Sequence, residues 1–212
     1  MKFKINSKGR VTSWFANNAS WRTRVHSGID WVKGYGSNVF SDNAGFCYKL
    51  YRPGDLDSNW AAVYLLVPYE GEFMEVCMGH FSYVADVGET EVTEGQWVGR
   101  EGNCGEVYSG GVRITADMQR AGDKRGSHVH ENYRPVQRVK TKRSVKHYLL
   151  KGGKAYKDKE GFYYEIKYDT PTKGCIDPMQ FEYKETPTVI RLKTIISVLT
   201  SIIGLYKIKN GK

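Results

Sequence analysis

Between residues 11 and 105 the chain alternates short apolar runs with glycine-marked breaks, and this rhythm restricts it to strands and turns. VTSWF, GSNVF, GFCYKLY, WAAVYLLV, FMEVCMGHF and GQWVG read as extended segments of about 4–8 residues. Helical spacing of apolar residues is absent from the region. The 23 glycines mark the breaks, and the 15 tyrosines suit a pleated, half-buried surface. A mainly β chain is expected.

At 212 residues, 40% hydrophobic and 26% charged, the chain is globular in composition and can bury a core. That length fits one good-sized domain or a domain with an appendage. A net charge of +9 favours an anionic partner, such as nucleic acid, lipid headgroups or an acidic polymer. Nucleic acid is not expected, because the sequence holds no motif of that class.

The remainder divides by composition. Residues 106–126, EVYSGGVRITADMQRAGDKRG, read as a long surface loop with a short strand at VRIT. Residues 138–173 carry eleven Lys/Arg against four Asp/Glu, the greater part of the chain's positive charge. Within them KAYKDKEGFYYEIKY reads as a hairpin turning at Asp158–Gly161. Such a run is either a solvated face or, with its interleaved tyrosines, a surface for an anionic polymer.

After Pro187, the segment VIRLKTIISVLTSIIGLY sets apolar positions 195, 198, 199, 202 and 203 opposite Thr194, Ser197, Ser201 and Gly204. This predicts an amphipathic helix with Thr188 as its N-cap. Its uninterrupted apolar part, Thr194 to Tyr206, falls short of the roughly 20 residues that span a bilayer. It either packs on a protein surface or lies in a membrane interface, flanked by Lys193, Lys207 and Lys209.

Cys47, Cys77, Cys104 and Cys175 form no CxxC pair and read as small core residues. In an oxidising compartment they could instead form two disulfides. The opening MKFKINSKGRVTSWF has no apolar signal-peptide region, so secretion by a cleaved leader is not expected.

Four of the five histidines fall at glycine-marked strand ends or loops. RVHSGIDW places His26 four residues before Asp30. MGHFS places His80 where a strand ends. GSHVHE places His128 and His130 two apart, hence on one face of a strand. The fifth, His147, lies in the basic segment without an evident partner. Three ligands drawn from His and Asp suit a tetrahedral zinc with one position open to water, whose pKa the metal lowers to about 7. Further imidazoles could then move protons or stabilise a developing oxyanion.

From about Val11 to His130, with a return near residue 175, the sequence resembles the lysostaphin-like zinc endopeptidases that cut peptide bonds in bacterial peptidoglycan. HSGID looks like the family's HxGxD signature, and GYGSNVFSDNAGFCYKL is similar to the strand pair that follows it. MGHFS matches a YxHL-type segment, EGQWVGREGNCG a GQxIGxxGxTG run, GSHVHE a GPHLHFE ending, and GCIDP the closing strand segment. In their order the motifs are far more specific than any one alone. The sequence also departs from the pattern. Glu131 stands where an aromatic follows the second histidine, SWFANNASWR replaces FGxR, and roughly 17 extra residues separate Gly105 from Gly126.

The resemblance implies an antiparallel sheet lining a groove that binds Zn2+ through His26, Asp30 and His130. His80 and His128 would then be the uncoordinated catalytic pair. It implies a metallopeptidase domain over residues 1–135 and 174–183 with a basic insertion over 136–173, and the periodicity above adds a C-terminal amphipathic helix with a basic tail over 184–212. The implied activity is hydrolysis of peptidoglycan cross-links or stem peptides. Without a signal peptide, the expected setting is a phage lysin or virion-associated protein, made in the cytoplasm and acting on the cell wall. The basic segment and C-terminal helix would meet anionic wall polymer or a membrane surface. A non-catalytic wall-binding or activator module is the alternative, and such modules typically lose metal ligands that this sequence retains.

Overall fold

Seven of the strands form one continuous path. The computed structural model describes residues 1–182 apart from 21, 23, 142–146 and 169, so the expected helix of 184–212 lies outside the described residues. In chain order the strands are β1 (Arg10–Ser13), β2 (Ile29–Val32), β3 (Asn38–Phe40), β4 (Gly45–Tyr51), β5 (Ala62–Tyr69), β6 (Glu72–Gly79), β7 (Phe81–Val84), β8 (Glu91–Val92) and β9 (Trp97–Glu101). They continue with β10 (Val107–Ser109), β11 (Val112–Ile114), β12 (Val129–Val139), β13 (Leu150–Lys151), β14 (Lys154–Ala155) and β15 (Tyr163–Ile166). The main sheet runs β1-β2-β12-β6-β5-β4-β8, and β15 pairs with the far half of β12. A smaller sheet runs β3-β9-β7. All these pairings are antiparallel.

Alternation along the strands decides which face is buried. Val63, Leu65 and Val67 of β5 and Met74, Val76 and Met78 of β6 point to one side, with Ile29, Trp31, Val129 and Tyr133. There they meet Val39, Phe81, Val84 and Val98 of the smaller sheet in the main core. On the opposite face Tyr48, Leu66 and Val136 are covered by Leu149 and Tyr164 of the basic segment. That segment therefore packs against the sheet rather than extending from it. Its turn lies at Asp158–Gly161, where the Gly161 N–H donates to the Asp158 carbonyl and Lys157 bridges to Tyr163. All four cysteines are free and buried, as small core residues.

The strand of FMEVCM ends at His80 as expected, and a φ of +67° there turns the chain out of the main sheet into the smaller one. One reading needs correction. Residues 106–126 hold more order than a loop with one strand. β10 and β11 form a hairpin over Gly110-Gly111, both left-handed, and a short α-helix, α1 (Ala116–Arg120), follows. Thr115 caps that helix by accepting from the Met118 N–H at 3.3 Å. No described helix is long and apolar enough to cross a membrane.

Candidate active site and metal centre

His26, Asp30 and His130 come together because two strands and one loop deliver them to one point. Asp30 lies on β2 directly opposite His130 on β12. His26 arrives on the loop before β2, which passes so close to β12 that a Cβ on Gly28 would stand 2.3 Å from the Glu131 carbonyl oxygen. Glycine between the histidine and the aspartate is therefore a steric requirement.

His26 Nε2 lies 2.9 Å from Asp30 Oδ1 and 3.0 Å from His130 Nδ1, and His130 Nδ1 lies 2.9 Å from the same Asp30 oxygen. His26 Nδ1 is 2.8 Å from the Trp14 carbonyl. A carbonyl only accepts, so that nitrogen carries the hydrogen and Nε2 presents a bare lone pair. A proton on His130 Nδ1 could satisfy only part of the remaining triangle, whereas a cation satisfies all three donors. Nitrogen and oxygen ligands of a tetrahedral zinc sit about 3.3 Å apart, close to the spacings here. The donor set fits zinc. Burial alone would raise the Asp30 carboxyl, but contacts from His130 and His26, helped by His128, hold it well below the usual carboxylate range.

His80 and His128 stand beside this triad. The His80 Nδ1–H donates to the Cys104 carbonyl at 2.8 Å and the His128 Nδ1–H to the Gly126 carbonyl at 2.7 Å, so both keep Nε2 as an acceptor. Their ring centroids are 4.4 Å apart, and His128 Nε2 lies 3.7 Å from Asp30 Oδ1. Burial, and then the nearby charges of His128 and His130, push His80 well below the usual histidine range, which keeps it neutral. Trp60 packs edge-on against the His80 ring and fills the space over Gly79, where a Cβ would stand 2.2 Å from the indole. His147 does not reach the cluster, and lies just ahead of the Tyr148 bridge to β15.

The left-handed backbone of His80 is a local strain held at the site. His80→Gly should therefore unfold at higher denaturant than His80→Ala, by about 1 kcal/mol, although both delete the imidazole. Equal midpoints for the two variants would show that the positive φ costs nothing here.

The pattern of histidines did not reveal the residues that hold the site in place. Arg22 Nη2 reaches Asp30 Oδ2 at 3.2 Å and Ser13 Oγ at 2.9 Å, so it fixes the carboxylate oxygen turned away from the histidines. The stretch that replaces the FGxR pattern therefore supplies Ser13, the Trp14 carbonyl and Arg22. A buried-site arginine eight residues before the aspartate was the available signal. The carbonyl leaves none, because any residue has one. The five histidine and aspartate side chains open onto a cavity of about 600 Å³, lined also by Trp60, Glu106, Val107 and Tyr108.

No protein-family model and no curated protein matches the sequence. Solved structures do resemble the fold. The solution structure of lysostaphin aligns with a TM-score of 0.51 at 14% identity, over 89% of this chain and 58% of lysostaphin. A second structure, of the antimicrobial peptidase lysostaphin from Staphylococcus simulans, gives 0.49 at 15% identity over 89% and 57%. The catalytic domain of a point mutant of the prophage-encoded M23 protein EnpA from Enterococcus faecalis gives 0.43 at 19% identity over 59% and 79%. The likeness is one of fold, and the His/Asp cluster of this chain stands on the neighbouring strands β2 and β12 of the shared antiparallel sheet type. The chain has the lysostaphin-like fold, and it spans little more than half of lysostaphin's length.

Proposed function

We propose that this protein is a zinc-dependent endopeptidase that hydrolyses peptide bonds in bacterial peptidoglycan. The observation that carries the proposal is the convergence of His26 Nε2, Asp30 Oδ1 and His130 Nδ1, all within 4.8 Å of one another, beside two imidazoles with open Nε2 positions. A zinc ion held by those three residues supplies Lewis acidity, which acidifies water and polarises a peptide carbonyl. His80 and His128, fixed by their carbonyl contacts, take a proton from the attacking water at Nε2 and return it to the leaving amine. An imidazolium protonated at Nε2 would also stabilise the oxyanion as it develops. The β10–β11 hairpin walls the cleft through Glu106, Val107 and Tyr108 and selects among substrates.

The proposed setting is a phage lytic enzyme, made in the cytoplasm and acting on the wall. In this reading residues 1–135 and 174–183 carry the activity, and the 136–173 segment and the 184–212 helix meet anionic wall polymer or a membrane surface.

Elemental analysis of the purified protein beside a turbidity assay on bacterial sacculi tests the activity. One zinc per chain and lysis abolished by chelator are expected. One zinc with no lysis on any wall chemistry would instead leave a binding module, and absence of metal would sink the site assignment.

A further inference from the structure

Three cations line the cleft: Arg22, Arg24 and Lys173. Arg22 is engaged with Asp30, and the cleft carboxylate Glu106 lies 3.7 Å from Arg113. Neither Arg24 nor Lys173 has an ion-pair partner among the described residues, and both are exposed. Partial burial of its ammonium, followed by the charge of Arg24, draws Lys173 below the usual lysine range even though the residue as a whole is exposed. Two cations that line one cleft, with no carboxylate paired to either among the described residues, are a site for an anion that arrives from outside.

The backbone at Lys173 is set on purpose by its turn. The Lys173 N–H donates to the Thr170 carbonyl at 2.8 Å, and the Gly174 N–H to Thr170 Oγ1 at 3.0 Å. This holds Lys173 at a φ of +57°, a conformation that costs any side chain with a Cβ. Arg24 stands two residues before His26, and both cations line the cavity onto which the triad opens.

We infer that Arg24 and Lys173 form an anion subsite of this cleft, and that its peptide substrate carries a free carboxylate on a residue next to the scissile bond. This deepens the peptidase reading and rests on it. A guanidinium grips a carboxylate through two parallel N–H bonds, and the ammonium adds a point charge. A carboxamide at the same position keeps the shape and loses both contacts.

The test uses two short wall-type peptides that differ only in a carboxylate or a carboxamide beside the scissile bond. Zinc-loaded full-length protein carrying His80→Ala, which suppresses turnover, is titrated with each by calorimetry. The carboxylate peptide should bind about tenfold more tightly. Adding Arg24→Gln or Lys173→Asn should shrink that preference with zinc content unchanged; asparagine suits the left-handed backbone, so the second variant keeps its fold. Equal affinity for the two peptides, or failure of both to bind, overturns the inference. So does a preference that survives both substitutions, or binding of a glycerol-phosphate polymer that the two substitutions weaken while the peptides bind alike. A carboxylate preference in a protein that lyses no wall would keep the subsite and remove the peptidase reading instead.

Discussion

Asp30→Asn will yield a folded protein that has lost both its zinc and its activity. The carboxylate is the one anion of the proposed ligand triad, and its Oδ1 meets His26 Nε2 and His130 Nδ1 at 2.9 Å each. An asparagine NH2 turned toward those nitrogens donates to their lone pairs, which satisfies the metal-free site and removes the charge that attracts the ion. The amide oxygen then faces Arg22, which held Oδ2. Lysis should fall by at least about a thousandfold, in step with zinc content. Arg22→Gln acts one step out and should weaken zinc binding by roughly 10–100-fold. His128→Ala should keep the metal and cost on the order of 10²–10⁴ in rate. Full zinc occupancy in Asp30→Asn would remove Asp30 from the ligand set. Loss of metal in His128→Ala with retention in His130→Ala would exchange the roles of the two histidines.

The candidate residues of this site were named through the family resemblance, and only part of their placement followed from short-range rules. Two residues apart on a strand share a face, so His128 and His130 were expected to point together, whereas the close backbone approach at Gly28 is visible only in the structure. The strands of the main sheet were legible because their alternation is local. What escaped were features set by tertiary contact. The strand end at His80 was legible, but not the new strand that begins at Phe81 in the smaller sheet. The hairpin within residues 106–126 has too few apolar residues to show a period. The groove cations Arg24 and Lys173 lie 149 residues apart and meet only in the fold. The departure of Glu131 from the expected aromatic looked like a loss in the sequence, and the structure gives it a partner.

That partner is Lys8, and its removal should be among the costliest single substitutions in the protein. Lys8 Nζ lies 2.7 Å from Asp42 Oδ2 and 2.9 Å from Glu131 Oε2, with Lys8 2%, Asp42 7% and Glu131 1% exposed. The Trp31 indole N–H donates to the same Glu131 oxygen at 3.2 Å, and the Lys4 backbone N–H to Asp42 at 2.8 Å. The ammonium also stands 5.0 Å from the Phe3 ring centroid and 5.1 Å from that of Trp31. One cation thus holds two carboxylates together where water does not reach. It ties the N-terminal segment to β12 at the residue adjoining His130, so the network also fixes the strand that presents the metal site. Lys8→Met leaves both carboxylates buried without their cation and should cost about 3–5 kcal/mol, read from denaturant unfolding. Adding Glu131→Gln to that variant removes one of the stranded charges and should restore part of the loss, a coupling that a double-mutant cycle isolates. If Lys8→Met unfolded within about 1 kcal/mol of the parent, Asp42 and Glu131 would have to be reached by water, and the network would not be what anchors β12.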